Sequence, residues 1–575
     1  MKTKLRYLLV ISAVCFWVSF AVQQIANITL FLLFGICSGL LIAKVQPLSL
    51  LLGQKRARNT ILLLAAVAVS AVFCIYAGLY FYYTWSGSVM LERLIARFTT
   101  HYERALIGIT AVVTLGMFPA VFDVISRLML HAWRMVRSIH FLSLWTYAKQ
   151  ALSAKTVLKN IVLVTFSLIL AAAIGIGLLT AVYLLPVEQI EQNVDRSALI
   201  IQEEGTYKEI SSWFYSRLDN WTDSITLMEA ATGPETTALE AAVNVTHGSI
   251  VGATPADTLV AHYIDGEPYD SIVEYSRYWH GYLLLIKPLL CFMDYQAIRI
   301  LNGIVQLLFV ATICFLLYQK KLSAYIPSVV LVYLSLMPVA LACSIQFSTC
   351  FYIIMASLLV LLLINKQKLD RFAGLLFLCI GMATSYFDFW TYPIATFGIP
   401  ICLLLLLMST SDLEQKLLQI VKCGIFWCIG FGGFLVSKWV ISYLVCGYDF
   451  SKILSLLDVR TSMTDASGVV SLYQIEMLNY TTFLKTPITV LSIYFIGKKM
   501  CANKSDSDLW NQTLYRAVLP YLLVALAPVV WFAFAGNHSA IHYSFTNKAC
   551  AVTLFAVLLS AITVYGLKKT KADNA

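Results

Sequence analysis

Apolar residues in this chain do not alternate with polar ones; they run. Ile61 to Tyr82, Val157 to Leu184, Ala297 to Tyr318 and Phe351 to Ile364 are nearly unbroken stretches of aliphatic and aromatic side chains. They are long enough, or nearly so, to cross about 30 Å of hydrocarbon. In that medium the backbone must satisfy its own hydrogen bonds, and without a period of two the runs read as helices. The pattern predicts about fourteen spans, at 6–22, 26–44, 60–84, 105–125, 157–184, 297–318, 324–343, 349–365, 372–387, 391–409, 418–446, 486–498, 514–534 and 547–566.

Polar positions break this pattern most heavily after the fifth span. The segment 187–296 is rich in carboxylates and carries Trp221, Tyr275, Tyr278 and Trp279, aromatic residues suited to a lipid interface. It predicts amphipathic helices at about 206–231 and 272–293, joined by a loop containing Gly, Pro and Thr. The second, RYWHGYLLLIKPLLCF, is interrupted by Lys287 and Pro288 and is expected to lie along the membrane face rather than span it. The shorter loops 344–348, 386–393, 446–485 and 536–544 fall on the same side. The expected fold is an all-α polytopic membrane protein with a large external loop after helix 5. Residues 1–155 form a four-helix membrane module plus a basic cytoplasmic linker. Residues 156–575 form a core bearing the external loop 187–296.

Composition agrees. The chain is 59% hydrophobic and 13% charged, with mean hydropathy +0.78. Its net charge of +10 raises the question of nucleic acid, but the basic clusters answer it. Lys55, Arg56 and Arg58, Lys320 and Lys321, Lys366, Lys368 and Arg371, and Lys568, Lys569 and Lys571 all fall on one side of the predicted spans. The positive-inside rule makes that side cytoplasmic, with both termini there, and no nucleic-acid partner is needed. The basic stretch 126–160, with Trp133 and Trp145, reads as a membrane-lying linker or as a long helix end. The first apolar run follows Lys2, Lys4 and Arg6 but lacks a small-residue cleavage pattern, so it reads as a retained helix. The 14 cysteines are scattered, and none lies in 187–278. They read as buried apolar residues rather than disulfides or metal ligands.

Four motifs on the external side could carry chemistry. In RLDNWTDSITLM, Asp219 and Asp223 are spaced to share a helix face. Such a pair suits deprotonation of a sugar hydroxyl, or holding a divalent cation (Mg2+ or Mn2+) against a phosphate; a solvated face beside Arg217 is the plainer reading. In YSRYWHG, Arg277 and His280 could meet phosphate oxygens, or anchor the segment among headgroups. In SYFDFWTYP, Asp388 ends a span, where a carboxylate is costly unless paired or used. Its neighbour Tyr386 could stack on a sugar, and a capping role is the alternative. In GNHSAIHYSFTNK, His538 and His542 share a helical face and Lys548 follows. No third metal ligand accompanies them, so a polar-substrate contact or a pair of interfacial histidines is expected. No phosphate loop, dinucleotide fingerprint or nucleophile elbow is present.

This layout resembles the GT-C superfamily, the polytopic glycosyltransferases that use polyprenyl-phosphate-linked sugars. NWTDSITLM, SRYWHG, YFDFWTYP and NHSAIHYSFTNK are also similar to stretches in bacterial membrane proteins of this type. The likeness covers roughly 156–570 and leaves helices 1 to 4 as an added module. It implies inverting transfer of a sugar from a polyprenyl-phosphate donor to a glycan or lipid-linked acceptor, in cell-envelope polysaccharide synthesis at the extracytoplasmic face of the plasma (inner) membrane. Asp223 would be the general base, with Asp219 its neighbour or a metal ligand and Asp195 the fallback. Arg277, His280, His538, His542 and Lys548 would meet the phosphate, and Tyr386 and Asp388 would orient the acceptor. The chain has DNWTD where several families show an adjacent acidic pair. A transporter or flippase for lipid-linked glycans, or a glycan polymerase or ligase, are the alternatives; the first predicts charges deep in several spans, of which Lys438 is the clearest.

Overall fold

The computed structural model describes residues 121–126 and 129–573, apart from short gaps (212–215, 236, 409–411, 466–467 and much of 486–511), together with a few positions between 67 and 74. The predicted spans at 6–22 and 26–44, and nearly all of those at 60–84 and 105–125, lie outside the described residues. The chain divides into two compact units, 1–138 and 139–575. In the first, 121–126 and 129–137 are helical. The basic stretch that follows groups with the second.

The second unit begins with α1 (Phe141–Ala151) and α2 (Ala154–Val182). The polar segment follows as α3 (Val187–Glu204), α4 (Asn220–Ala231), α5 (Ala238–Asn244), β1 (Thr246–Ser249), α6 (Pro255–Tyr263), β2 (Ser271–Glu274) and α7 (Leu283–Leu290). Then come α8 (Tyr295–Gln319), α9 (Ile326–Ser335), α10 (Pro338–Cys343), α11 (Ile345–Leu363), α12 (Lys366–Phe387), α13 (Ile394–Leu407) and α14 (Leu413–Cys446). The chain closes with α15 (Phe450–Thr461), α16 (Leu472–Leu484), α17 (Gln512–Val524), α18 (Ala527–Phe534), α19 (Gly536–Ile541), α20 (Tyr543–Thr546) and α21 (Ala551–Asp573).

Among the described residues seven helical stretches are long and apolar enough to cross a membrane: Ala154–Val182, Tyr295–Gln319, Ile345–Leu363, Lys368–Phe387, Leu413–Cys446, Gln512–Phe534 and Tyr543–Gly566. The protein is thus a mostly helical, membrane-embedded chain. The run expected at 324–343 is broken. Pro338 disfavours helical geometry at the residue before it, and Met337 sits at φ 59, separating α9 from α10.

The polar segment differs from its sequence pattern. The helix expected at 206–231 starts only at Asn220, because Asp219 caps it by accepting from the Thr222 N–H. Where a helix was expected at 272–293, β2 pairs antiparallel with β1, placing Thr246 opposite Glu274. A tight turn through His280 (φ 55) follows, and only then α7. Helix α3, which pattern reading assigned to loop, buries Ile190, Val194, Ala198 and Ile201 as one stripe. Its Asn193 side chain donates to the Leu290 carbonyl at 2.8 Å.

Connectivity brings one end of the helix layer together. α2, α12 and α14 finish where α8, α11 and α13 begin, on the side of the polar segment. α12 and α14 touch backbone to backbone: a Cβ on Gly381 would stand 2.3 Å from the Trp427 carbonyl oxygen, and one on Gly430 2.2 Å from that of Leu378. At the opposite end α1 is tied to α14. The His140 N–H donates to Glu414 at 2.6 Å and Tyr147 to Asp412 at 3.0 Å, while Arg516 bridges both acids.

Candidate functional site

The i, i+4 spacing of Asp219 and Asp223 works at both ends of α4's first turn. Asp219 caps its own helix, accepting from Thr222 N–H at 3.3 Å and Thr222 Oγ1 at 2.9 Å. Its own N–H donates to Ser344 Oγ at 3.0 Å. Asp223 reaches across to the start of α11. It accepts from Ile345 N–H at 2.9 Å, from Gln346 N–H at 3.2 Å and from the Tyr295 hydroxyl. Both acids are buried. Burial pushes Asp223 up to about 7, against the Tyr295 hydrogen bond and with help from the Asp219 charge. Burial also raises Asp219, opposed by the Thr222 bonds and the charges of Arg217 and Lys548.

The turn after α12 is where the distant motifs join. Tyr386 donates to the Gly175 carbonyl at 2.7 Å, and its own carbonyl accepts from Gly281 N–H at 2.8 Å. Asp388 accepts from Thr349 Oγ1 and from Thr391 N–H, each at 2.9 Å, and from the Thr391 hydroxyl. Burial raises Asp388 to about 6 in spite of these donors. Trp390 adopts φ 64, and its carbonyl accepts from His538 Nε2 at 2.8 Å. Tyr392 donates to the Phe347 carbonyl at 2.7 Å. Lys548, buried at 2% exposure, lies 4.2 Å over the Phe347 ring.

Arg277 is held from α14: Trp439 Nε1 donates to its carbonyl at 3.0 Å, and Ser442 Oγ to that of Ser276 at 3.0 Å. Its guanidinium lies 4.1 Å over the Tyr275 ring and 5.4 Å from that of Tyr278. His280 faces inward instead. Its Nε2 donates to the Tyr275 carbonyl at 2.7 Å, its Nδ1 shares a 2.6 Å hydrogen bond with the Tyr282 hydroxyl, and Glu229 stands 3.3 Å away. His542 Nε2 accepts from Arg460 at 3.4 Å, and its ring lies 4.7 Å from that of His538. Burial and the Arg460 charge push His542 down to about 4, and burial lowers His538 further.

Arg277 and Arg460 face a common small, partly open cleft of about 40 Å3. Tyr278, Trp390 and Trp439 give it aromatic walls, and Leu435 and Leu457 complete it. Two cations set among three aromatic rings and two leucines suit an anionic group docked at a small, partly open surface.

Of the residues expected from the sequence, Arg277 alone lines the cleft. His538 and His542 touch its walls through Trp390 and Arg460. Tyr386 and Asp388 hold the turn that presents Trp390. Asp219, Asp223 and Lys548 gather beside this group, at the start of α11. His280 lies beneath the Tyr275–Tyr278 turn. Arg460, Trp439 and Glu229 escaped pattern reading. A signal existed for Arg460: it is a cation on the side of the spans where cations are sparse. Among the described residues no three His, Cys, Asp or Glu side chains are grouped so as to hold a metal ion. Comparison with protein-family models, with curated proteins and with solved structures gives no match.

Proposed function

We propose that this chain is an integral membrane glycosyltransferase that moves a sugar from a polyprenyl-phosphate donor to a glycan or lipid-linked acceptor at the extracytoplasmic face. The cleft between Arg277 and Arg460 carries this reading. Its cations suit the donor phosphate, its rings suit a sugar face, and its leucines suit the first isoprene units. A carboxylate of the Asp219–Asp223 pair takes the acceptor hydroxyl proton. The hydroxyl oxygen bonds to the anomeric carbon as the bond from that carbon to the phosphate oxygen breaks. The electron pair leaves on the phosphate, whose charge Arg277 and Arg460 meet. Tyr386 and Asp388 act by holding the turn, and His538 and His542 by holding Trp390 and Arg460.

The transporter reading draws less support. Lys438 donates to the Val243 carbonyl at 2.5 Å, so it anchors the polar segment to α14 rather than facing a path between spans. Equilibrium binding of a short-chain polyprenyl phosphate to the purified protein tests the reading. Wild type should bind, and Arg460→Gln should bind about tenfold more weakly, as expected for a lost charge-assisted contact of about 1.4 kcal/mol. Equal affinity in the two proteins counts against the cleft as the donor site.

A further inference from the structure

Glu229 and His280 have no part in the proposed transfer, yet both side chains are fully buried. His280 Nε2 must carry a hydrogen, because the Tyr275 carbonyl 2.7 Å away can only accept. Its Nδ1 lies 2.6 Å from the Tyr282 hydroxyl, which in turn meets Glu229 Oε2 at 2.5 Å. Two hydrogen bonds in this chain need two protons. Burial pushes the Tyr282 hydroxyl well above its ordinary range, so it keeps its own, but it supplies only one. The second comes from the ring, as an imidazolium facing a carboxylate, or from Glu229, as a carboxylic acid beside a neutral ring. In either form both bonds are made and the net charge is zero. Without that proton one contact sets lone pair against lone pair, and a bare carboxylate stands buried beside a neutral ring. The neighbouring groups do not replace it. Lys287 of α7 donates to the Ala230 and Thr232 carbonyls, and Lys438 of α14 to that of Val243. Tyr278 meets the His280 ring edge to face. His247 Nδ1 of β1, the Tyr183 hydroxyl after α2 and Glu229 Oε1 itself have no hydrogen-bond partner among the described residues.

We infer that Glu229, Tyr282 and His280 share one proton that positions Arg277, and that its loss as pH rises loosens the anion cleft. His280 has φ 55, a left-handed backbone that a residue with a side chain keeps only when its surroundings hold it. Its ring holds the Tyr275 carbonyl, and the Gly281 N–H holds that of Tyr386. The Tyr275 ring carries the Arg277 guanidinium at 4.1 Å. The three residues are thus positioning residues, acting on the cleft through Arg277. Above about pH 6.5, the ordinary histidine value, a loosened turn gives up the shared proton while the formed turn keeps it. The formed turn is therefore favoured below that pH and lost as pH rises beyond it. The consequence for donor binding rests on the proposed cleft; the proton-held turn does not.

Tryptic cleavage after Arg277 in the full-length protein, held in nanodiscs, tests this, because proteolysis follows the population of the open turn. Normalised to casein digestion at each pH, cleavage of wild type should rise about fivefold or more from about pH 6.5 to about pH 9. Glu229→Gln should fold and stay flat over that range, since an amide N–H fills the place of the acid proton at any pH. Methyl citronellyl phosphate, a phosphodiester of constant charge, should bind wild type about fivefold or more weakly at the higher pH, and Glu229→Gln equally at both. Cleavage of wild type that does not change with pH overturns the inference. So does a Glu229→Gln protein that follows the wild-type rise or does not fold. Cleavage that rises while wild type binds the probe equally at both pH values breaks the link to Arg277 and overturns it too. Rising cleavage with no probe binding by wild type at either pH sinks the donor cleft instead and leaves the proton-held turn standing.

Discussion

The carboxylate of Asp223 accepts the backbone N–H of Ile345 at 2.9 Å, joining the polar segment to the first turn of a helix more than one hundred residues further along the chain. Orphan N–H groups at a helix start need acceptors, and this acid supplies one to Ile345 and one to Gln346. Asp223→Ala should leave these two N–H groups without their acceptor and the Tyr295 hydroxyl with only the Cys343 carbonyl, 3.0 Å away. A loss of about 3 kcal/mol or more is expected, read as a lower unfolding midpoint in detergent. An unchanged midpoint contradicts the clamp.

The same acid should give stability a pH dependence of known sign. Burial holds it at about 7 in the folded chain, above the ordinary 3.8. Between about pH 4 and pH 7 the folded state then binds more protons at this group than the unfolded state, so its contribution to stability falls as pH rises through that window and levels off above it. Asp223→Asn removes this component. Its unfolding midpoint should drop less than that of wild type between about pH 5 and pH 8, and equal slopes would contradict the assignment.

Gly281 packs where no side chain fits. A Cβ there would stand 2.3 Å from the Tyr386 ring and 2.6 Å from the Tyr386 carbonyl oxygen. Gly281→Ala should part the His280 turn from the Tyr386 turn and destabilise the chain by about 1–3 kcal/mol. Because those turns carry Arg277 and Trp390, polyprenyl phosphate affinity should fall with stability. Limited proteolysis within 264–282 checks the first effect.

Helix α1 presents an apolar face, with Leu142 80% and Trp145 69% exposed, while its other side is bonded to Asp412 and Glu414. It is expected to lie in the headgroup region. Lipids brominated near the headgroup should quench Trp145, so Trp145→Phe should reduce the quenchable fraction of fluorescence; no reduction places the helix elsewhere.

Much of the helical frame was legible in runs of apolar residues, because burial in lipid demands length and little else. The polar segment was harder. Helix α3 has a clear stripe from Ile190 to Ile201, yet its carboxylates made it look like loop. The residues around His280 looked helical because WHGYLLL is apolar, but Gly281 must pack against Tyr386 and the chain turns there. The motifs around Arg277, Asp388 and His538 were visible as unusual residues at span ends, and the structure brings them to one end of the helix layer. What sequence could not supply was the partner of each: that Asp223 faces Ile345, that His280 turns toward Glu229, and that Arg460 stands opposite Arg277. Such pairings arise from tertiary packing of segments far apart in the chain, which no local pattern records.

The central claim is the donor cleft, and turnover tests it most directly. Purified protein in detergent, given a short-chain polyprenyl-phosphate sugar and a panel of alkyl glycosides, should release the free polyprenyl phosphate. Arg277→Gln and Arg460→Gln should each slow that release about tenfold or more. No consumption by folded wild type across the panel, or full turnover in both variants, would contradict the account.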